Sequence, residues 1–208
     1  MGFHRCAMSQ TPVSLAAERG YLDVVKVLLE SGKVRIDLRD DHGHTPLSHA
    51  AGRGHLDVVK VLLESGKVRI DSRDNYGRIP LSYAAGRGHL DVVRVPLESG
   101  KVCPDSRDIH DRMPLSHAAE AGHLDVAKKF LKIDGIDINS KDTDEKTPLG
   151  YAALHGHYAL VKKFLDTGNA DEESKNQSLT LAVEKSHKDI VGLLLRSDSL
   201  EAKLGDER

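Results

Sequence analysis

Apolar residues recur along this chain in short clusters at helical spacing, and the clusters themselves recur at a fixed period. Residues 22–30 carry a wide apolar stripe typical of a helix of two to three turns. A shorter cluster precedes it, where Ala16 and Ala17 follow Thr11 and Pro12, a pair typical of a helix start. Helices this short are not stable alone. The pattern therefore predicts pairs of short helices that pack against further pairs.

The segment from Thr11 to His44, 34 residues long, is repeated along the chain. Its first two copies agree at 26 of 34 positions, and the second and third at 25 of 34. The predicted units are residues 11–44, 45–78, 79–112, 113–146 and 147–176, after a short extension at 1–10 and before a degenerate capping repeat with a polar tail at 177–208. Such a period is typical of a stacked array. We predict an all-α solenoid of about six helix-turn-helix units joined by β-hairpin-like loops, forming one elongated domain.

Composition narrows the class of protein. Aromatic residues make up 4% of the chain and tryptophan is absent, which suits a core of alanine, valine and leucine. The net charge of −2 disfavours nucleic acid as a partner. Cys6 and Cys103 lie too far apart for zinc spacing or a disulfide framework. No apolar run reaches membrane-spanning length. We expect no membrane partner and an intracellular location, cytoplasmic or nuclear.

Several short motifs recur in register from copy to copy. In the second copy they are Thr-Pro-Leu at 45–47, Ala50-Ala51, Gly54-His55-Leu56, Val58-Val59, Leu62-Leu63, Gly66 and Asp74-x-x-Gly77. Together they resemble the ankyrin repeat over about residues 11–195. Serine or glycine stands where the usual histidine follows Thr-Pro-Leu, and the unit is one residue longer than usual. The sequence pattern of the repeats is similar to that of ankyrin arrays in large fungal proteins, which are often joined to NACHT-type domains. The nucleotide-binding motif GxxxxGK[ST] of such domains does not occur in this sequence.

The resemblance implies a recognition module without catalysis, whose hairpin tips and first helices line a concave, partner-binding face. Carried over by position, the predicted partner-binding residues are His42, His44, His49, Arg53, Tyr76, Arg78, Tyr83, Arg87, His110, Arg112 and His117. Arginine and tyrosine are enriched at interface hot spots. We therefore predict an acidic or phosphorylated protein segment as the partner. We also expect the nearby arginines to disfavour protonation of His42, His44 and His110.

Comparison of the first two copies supports this interpretation. Five of their eight differences fall at the concave positions, namely Leu15/His49, Glu18/Gly52, Asp41/Asn75, His42/Tyr76 and His44/Arg78. Recognition of a partner explains this distribution, whereas free drift of exposed residues is the alternative. A solvated charged face is the alternative interpretation of the basic residues. A structural spacer array, or a fragment of a larger receptor-like protein without its own ligand, remains the second functional hypothesis.

Chemistry at the concave face is the third hypothesis, as an enzyme or small-molecule binder, and the sequence disfavours it. Serine recurs at one position in four copies and is not a unique nucleophile. One histidine per copy follows glycine and is assigned to the scaffold: His55, His89, His123, His157 and His187. The remaining histidines show no HxxxH pair, and neighbouring units lie ~10 Å apart. We expect no catalytic residue, no cofactor and no metal.

The third copy carries the residues least compatible with the repeat. Pro96 replaces Leu62 inside the second helix, and Ile79 replaces the capping Thr45. Proline inside a helix removes a hydrogen bond and crowds the preceding turn. We expect this copy to be the least stable of the internal repeats.

Overall fold

The computed structural model describes residues 10–205, with side chains described from Gln10 to Ser197. Twelve α-helices and no strand occur in this part of the chain. The helices are α1 Pro12–Glu18, α2 Leu22–Ser31, α3 Pro46–Arg53, α4 Leu56–Glu64, α5 Pro80–Gly86, α6 Leu90–Ser99, α7 Pro114–Glu120, α8 Leu124–Phe130, α9 Pro148–Leu154, α10 Tyr158–Leu165, α11 Glu172–Glu184 and α12 Lys188–Gly205. The predicted extension before Gln10 and the last three residues of the predicted tail lie outside the described residues.

The helices start where the Thr-Pro pairs predict. The hydroxyl oxygens of Thr11, Thr45 and Thr147 each accept the amide hydrogen of the residue three positions later, at 3.1 to 3.2 Å. Proline then occupies the first helical position, where its missing N–H needs no partner. These three first helices are therefore fixed by a local signal, although none of the three is longer than eight residues.

Burial follows the predicted apolar stripe. Ala50 and Ala51 in α3, and Val58, Val59 and Leu62 in α4, are all at most 2% exposed. First helices pack against first helices of the next repeat, as in α1 with α3 and α7 with α9. Second helices do the same, as in α2 with α4 and α8 with α10. This is the nearest-neighbour packing of a repeat array.

The chain divides into two compact units. One lies within Met1–Ala84 and Asp91–Cys103, and the other within Ala85–Leu90 and Pro104–Arg208. The sequence predicted one continuous elongated domain. Repeats of an array contact mainly their neighbours, so one hydrophobic core does not have to include all of the repeats. We call the two compact units the first and the second unit.

The predicted hairpin-like loops are tight turns rather than strand ladders. In the first unit the amide of Asp40 donates to the carbonyl of His44, and that of Asp74 to the carbonyl of Arg78, both at 2.9 Å. Successive loops are also linked, because the Asn75 amide donates to the His42 carbonyl at 3.0 Å. These bonds satisfy loop backbone groups that would otherwise need water.

The end of the chain differs from the predicted repeat boundaries. The predicted division between residues 176 and 177 falls inside α11, which begins at Glu172 because Asp171 caps it by accepting the Ser174 amide at 2.7 Å. Helix α12 continues to Gly205, so most of the predicted polar tail is helical. None of the described helices is both long and apolar enough to cross a membrane.

Candidate functional site

An aspartate begins the hairpin loop at four equivalent positions: Asp40, Asp74, Asp108 and Asp142. One oxygen of each carboxylate closes its own loop. For Asp74, Oδ1 accepts the amides of Tyr76 and Arg78, both at 2.8 Å. The same two-amide pattern occurs at the other three aspartates. A negatively charged acceptor at this place stabilises the turn.

The other oxygen of each aspartate binds the first helix of the following repeat. The Nε2 atoms of His49 and His117 lie 3.0 Å from Oδ2 of Asp40 and Asp108, respectively. At the equivalent positions the hydroxyl of Tyr83 donates to Asp74, and that of Tyr151 donates to Asp142. The side chain nine residues after the aspartate therefore joins the loop to the next helix.

These contacts give three residues of the predicted binding set a role within the chain. The polar atoms of His49, Tyr83 and His117, which were predicted as partner-binding residues, are bound to loop carboxylates. All three side chains are only partly exposed. The variation between histidine and tyrosine at this position has a structural reason, since an imidazole N–H and a phenol O–H both reach the same carboxylate.

The buried environment shifts the acidity of both partners. Burial opposes the charge on Asp108, but the hydrogen bonds from His117 and from the loop amides outweigh it and lower the pKa of Asp108. The same balance, with the amide of His44 and the ring of His49 as donors, lowers the pKa of Asp40. Burial, and then the bond to Asp74, raises the pKa of Tyr83. The carboxylates are therefore held ionised and the tyrosine is held neutral.

The four aspartates are the functional-site residues that sequence reasoning missed. The signal was present, because a donor stands nine residues after each of them, as histidine or tyrosine. In the first copy the residue at this position is Leu15, and the position nine residues before it is Cys6 rather than aspartate. A hydrogen-bond donor thus occurs where the acceptor occurs, a pairing that exposed drift does not produce.

His44 lies at the centre of a polar cluster in the first unit. Its Nδ1 is 3.3 Å from Oδ2 of Asp40, and its Nε2 is 2.8 Å from the hydroxyl of Tyr83 and 3.5 Å from Oδ2 of Asp74. Its ring meets those of His49 and Tyr83 edge-on, with centroids 5.3 Å apart in both pairs. One predicted binding residue therefore contacts two others and both loop aspartates.

The pKa of His44 is lowered, in the direction that the sequence predicted. The main cause is burial; Asp40 and Asp74 act in the opposite direction, and the positive charge of a protonated His49 adds to the lowering. Arginines were expected to be the cause, so the predicted direction is confirmed and the reason is corrected.

Arg78 forms the second part of this cluster. Its guanidinium carbon lies 4.8 Å from the ring centroid of Tyr76 and 4.7 Å from that of Tyr83. Its Nε is 3.4 Å from Oδ2 of Asp74, while no hydrogen bond from its Nη groups is seen among the described residues. Tyr76 is 47% exposed. The side chains of Arg78 and Tyr76 are thus ordered against each other and reach solvent.

The other predicted arginines are less uniform. Arg53 pairs with Glu18 at 2.7 Å in the first unit, and Arg112 pairs with Glu120 in the second unit, where it also lies over the ring of Tyr151. Arg87 is exposed and makes no ion pair within the described part of the chain. The predicted cationic surface is therefore partly neutralised, because carboxylates lie beside three of its four arginines.

His42 and His110 lie at exposed loop tips. Their carbonyl oxygens accept the amides of Asn75 and Thr143, both at 3.0 Å, so the backbone holds the tips in place while the rings face solvent. The scaffold histidines behave differently. The Nε2 atoms of His55, His157 and His187 bind backbone carbonyls in the preceding repeat at 2.9 to 3.1 Å.

A family model described as ankyrin repeats (3 copies) matches the chain at residues 2–74, 66–142 and 115–206. A search of curated proteins found no match.

Proposed function

The chain belongs to the ankyrin-repeat family, whose repeats generally serve as protein-interaction scaffolds without catalysis, and we propose that it binds an acidic protein segment through the first unit. The proposed contact surface consists of Tyr76, Arg78, His42 and Arg53. No cofactor or metal takes part in this recognition.

The observation that carries the proposal is the ordered pair of Arg78 and Tyr76. The guanidinium contacts two aromatic rings, and its Nε lies 3.4 Å from the buried carboxylate of Asp74. A side chain that is already ordered loses less conformational freedom when it binds. Tyrosine and arginine combine large contact area with directional polar groups, which makes them frequent hot spots.

The proposed charge of the partner follows from the hydrogen-bond donors that Arg78 does not use within the described part of the chain. Its Nη groups can donate two parallel hydrogen bonds to a carboxylate or a phosphate. Arg53 has a 53% exposed side chain and a single carboxylate partner, Glu18, so it can supply a second cationic contact. An acidic segment fits both groups, whereas a basic segment would meet two cations.

Peptide display tests the proposal. A library of unphosphorylated and phosphorylated peptides is selected against the whole chain, and the selected peptides are then titrated against Arg78→Ala. The matched control is Arg94→Ala, which removes an exposed arginine from a second helix of the same unit, where it pairs with Glu98 at 3.2 Å. We expect acidic peptides, a loss of about 5- to 150-fold for Arg78→Ala, and a change within about twofold for the control.

Two outcomes contradict the proposal. Selected peptides without acidic residues, or peptides that bind Arg78→Ala as tightly as the native chain, would rule out this surface. Selection of no peptide at all would favour a spacer array. Enrichment of phosphorylated over carboxylate-rich peptides identifies which acidic group the surface prefers.

A further inference from the structure

The hydrogen positions in the first unit leave one polar contact without a proton to bridge it. Asp74 accepts a proton from the hydroxyl of Tyr83, and a phenol has only one to donate. The bond between Tyr83 and Nε2 of His44, at 2.8 Å, must therefore be donated by the imidazole. In a neutral imidazole the proton is then on Nε2, and Nδ1 carries a lone pair.

That lone pair faces an acceptor. Nδ1 of His44 lies 3.3 Å from Oδ2 of Asp40, and the same oxygen also faces Nε2 of His49 at 3.0 Å. A lone pair and a carboxylate oxygen repel each other at this distance unless a positive charge lies between them. Either a second proton or a metal cation can supply it.

We propose that Asp40, His44 and His49 form a binding site for a dication of the zinc class. One ligand atom from each of the three residues lies within 4.8 Å of the others. Ligand atoms around a tetrahedral zinc ion are about 3.3 Å apart, since each lies ~2 Å from the metal. Oδ2 of Asp40 already lies close to this spacing, at 3.3 Å from Nδ1 of His44 and 3.0 Å from Nε2 of His49. We assign these three atoms as the ligands.

Residues around these three provide the outer contacts that such a site needs. A histidine that binds a metal usually donates its other ring N–H to a carboxylate or a similar acceptor, which fixes its tautomer. His44 has this arrangement, because its Nε2 donates to Tyr83, which in turn donates to Asp74. On metal binding, the proton of His49 moves from Nε2 to Nδ1. The three ligands leave a fourth position for water.

This site occurs once among the described loops, because only one loop has histidine at this position. Where the first loop has His44, the next two have Arg78 and Arg112 and the fourth has Lys146. The expectation that no metal binds rested on the absence of an HxxxH pair and on the separation of histidines in different repeats. His44 and His49 are only five residues apart, on either side of one loop–helix junction, so that separation does not apply to them.

Titration of the native chain with Zn²⁺ and with Co²⁺ tests the proposal. Two variants introduce residues that other copies carry at the equivalent positions. His44→Arg introduces the arginine of the next two loops, and His49→Tyr introduces the tyrosine that pairs with aspartate in other repeats. The matched control is His117→Ala, which removes the histidine paired with Asp108, in a loop that has arginine in place of His44. Circular dichroism checks that each variant is folded.

We expect one Zn²⁺ per chain, a Co²⁺ spectrum without thiolate-to-metal bands, at least tenfold weaker binding in His44→Arg and His49→Tyr, and unchanged binding in His117→Ala. Three results would overturn the proposal: no binding at millimolar metal, binding that His44→Arg retains, or thiolate bands that disappear in Cys103→Ser. This experiment uses no peptide, so its outcome is independent of the proposed protein recognition.

Discussion

The carboxylate of Asp108 and the imidazole of His117 are joined at 3.0 Å, and this contact ties a hairpin loop to the first helix of the next repeat. Asp108 is 8% exposed. Removing the ring would leave one oxygen of a buried carboxylate without its donor, which typically costs about 1–3 kcal/mol. We predict that His117→Ala lowers the free energy of unfolding by this amount in urea denaturation.

Two variants sharpen this test. His117→Tyr should keep most of the stability, because Tyr83 and Tyr151 bind the equivalent aspartates in other repeats. His110→Ala removes an exposed imidazole nearby and should change the stability by less than about 0.5 kcal/mol. Equal losses in His117→Ala and His110→Ala would show that the link to Asp108 contributes nothing specific.

The same contact predicts a dependence of stability on pH. Burial raises the pKa of Asp108, but the bonds from His117 and from the amides of His110 and Arg112 outweigh it, so the folded-state pKa lies below the ordinary 3.8. The unfolded chain then binds the proton more readily than the folded one. The stabilisation by Asp108 is therefore complete above the unfolded pKa and is lost as the pH falls through the folded pKa.

Urea denaturation of the native chain and of Asp108→Asn between pH 6 and pH 2.5 measures this contribution. We expect the native chain to be the more stable at pH 6, and the difference to shrink below about pH 4. All other carboxylates are common to both proteins, so their titration largely cancels in the difference. A difference that stays constant down to pH 2.5 would contradict the assigned pKa shift.

The sequence predicted the fold because the helix-start signals, the apolar pattern and the repeat period agreed with one another. Thr45 and Pro46 start a helix, Leu62 faces the core, and both recur at one period. The site was harder to predict. The binding set was carried over by position from the ankyrin resemblance, and variation between copies was taken as support. His49 and His117 vary with tyrosine, however, because either ring reaches the equivalent aspartate. Variation alone does not distinguish a partner outside the chain from one inside it.

The local charge of the predicted surface could also not be predicted from the positions of residues in the repeat. Arg53 and Arg112 occupy the expected places, yet each lies beside a glutamate that comes from a different segment of the chain. Whether two such side chains meet depends on rotamers and on the stacking of repeats. The ordered pair of Arg78 and Tyr76 was predicted only as two residues of one surface, and their stacking came from the structure.

Two glycines of the first repeat give a matched pair for the stacking contacts. Both have positive φ, +72° at Gly20 and +62° at Gly32. A Cβ at Gly20 would lie 2.5 Å from Nδ1 of His55, whereas a Cβ at Gly32 would meet nothing within 4 Å. His55 would have to move, and its 2.9 Å bond to the carbonyl of Glu18 would be lost.

We predict that Gly32→Ala costs about 1–2 kcal/mol, the penalty of the left-handed backbone. Gly20→Ala should cost this amount and about 1–3 kcal/mol more, for the displaced hydrogen bond. Thermal or urea unfolding of the two variants gives the comparison. Equal costs would mean that the contact between Gly20 and His55 does not constrain the stack.

Pro96 is the residue with the largest expected effect on stability. It lies inside α6, Leu90–Ser99, and it is buried where the preceding repeat has Leu62. The helix continues through it, so the carbonyl of Val92 lacks the amide partner that a non-proline residue would supply. A small apolar cavity of about 10 Å³ borders Pro96 and Val59. The site can therefore accept a leucine without displacing polar groups.

We predict that Pro96→Leu raises the free energy of unfolding by up to about 3 kcal/mol, because it restores the helix hydrogen bond and fills the cavity. The mirror variant, Leu62→Pro, should destabilise α4 by at least as much. Hydrogen exchange in the native chain should be fastest at residues 91–98 among the second helices of the internal repeats, and should slow in Pro96→Leu. In an array coupled through neighbours, one weak repeat can separate unfolding into two steps, and strengthening it merges them. No gain in stability, together with slow native exchange over residues 91–98, would show that the third repeat is not the weak point of the array.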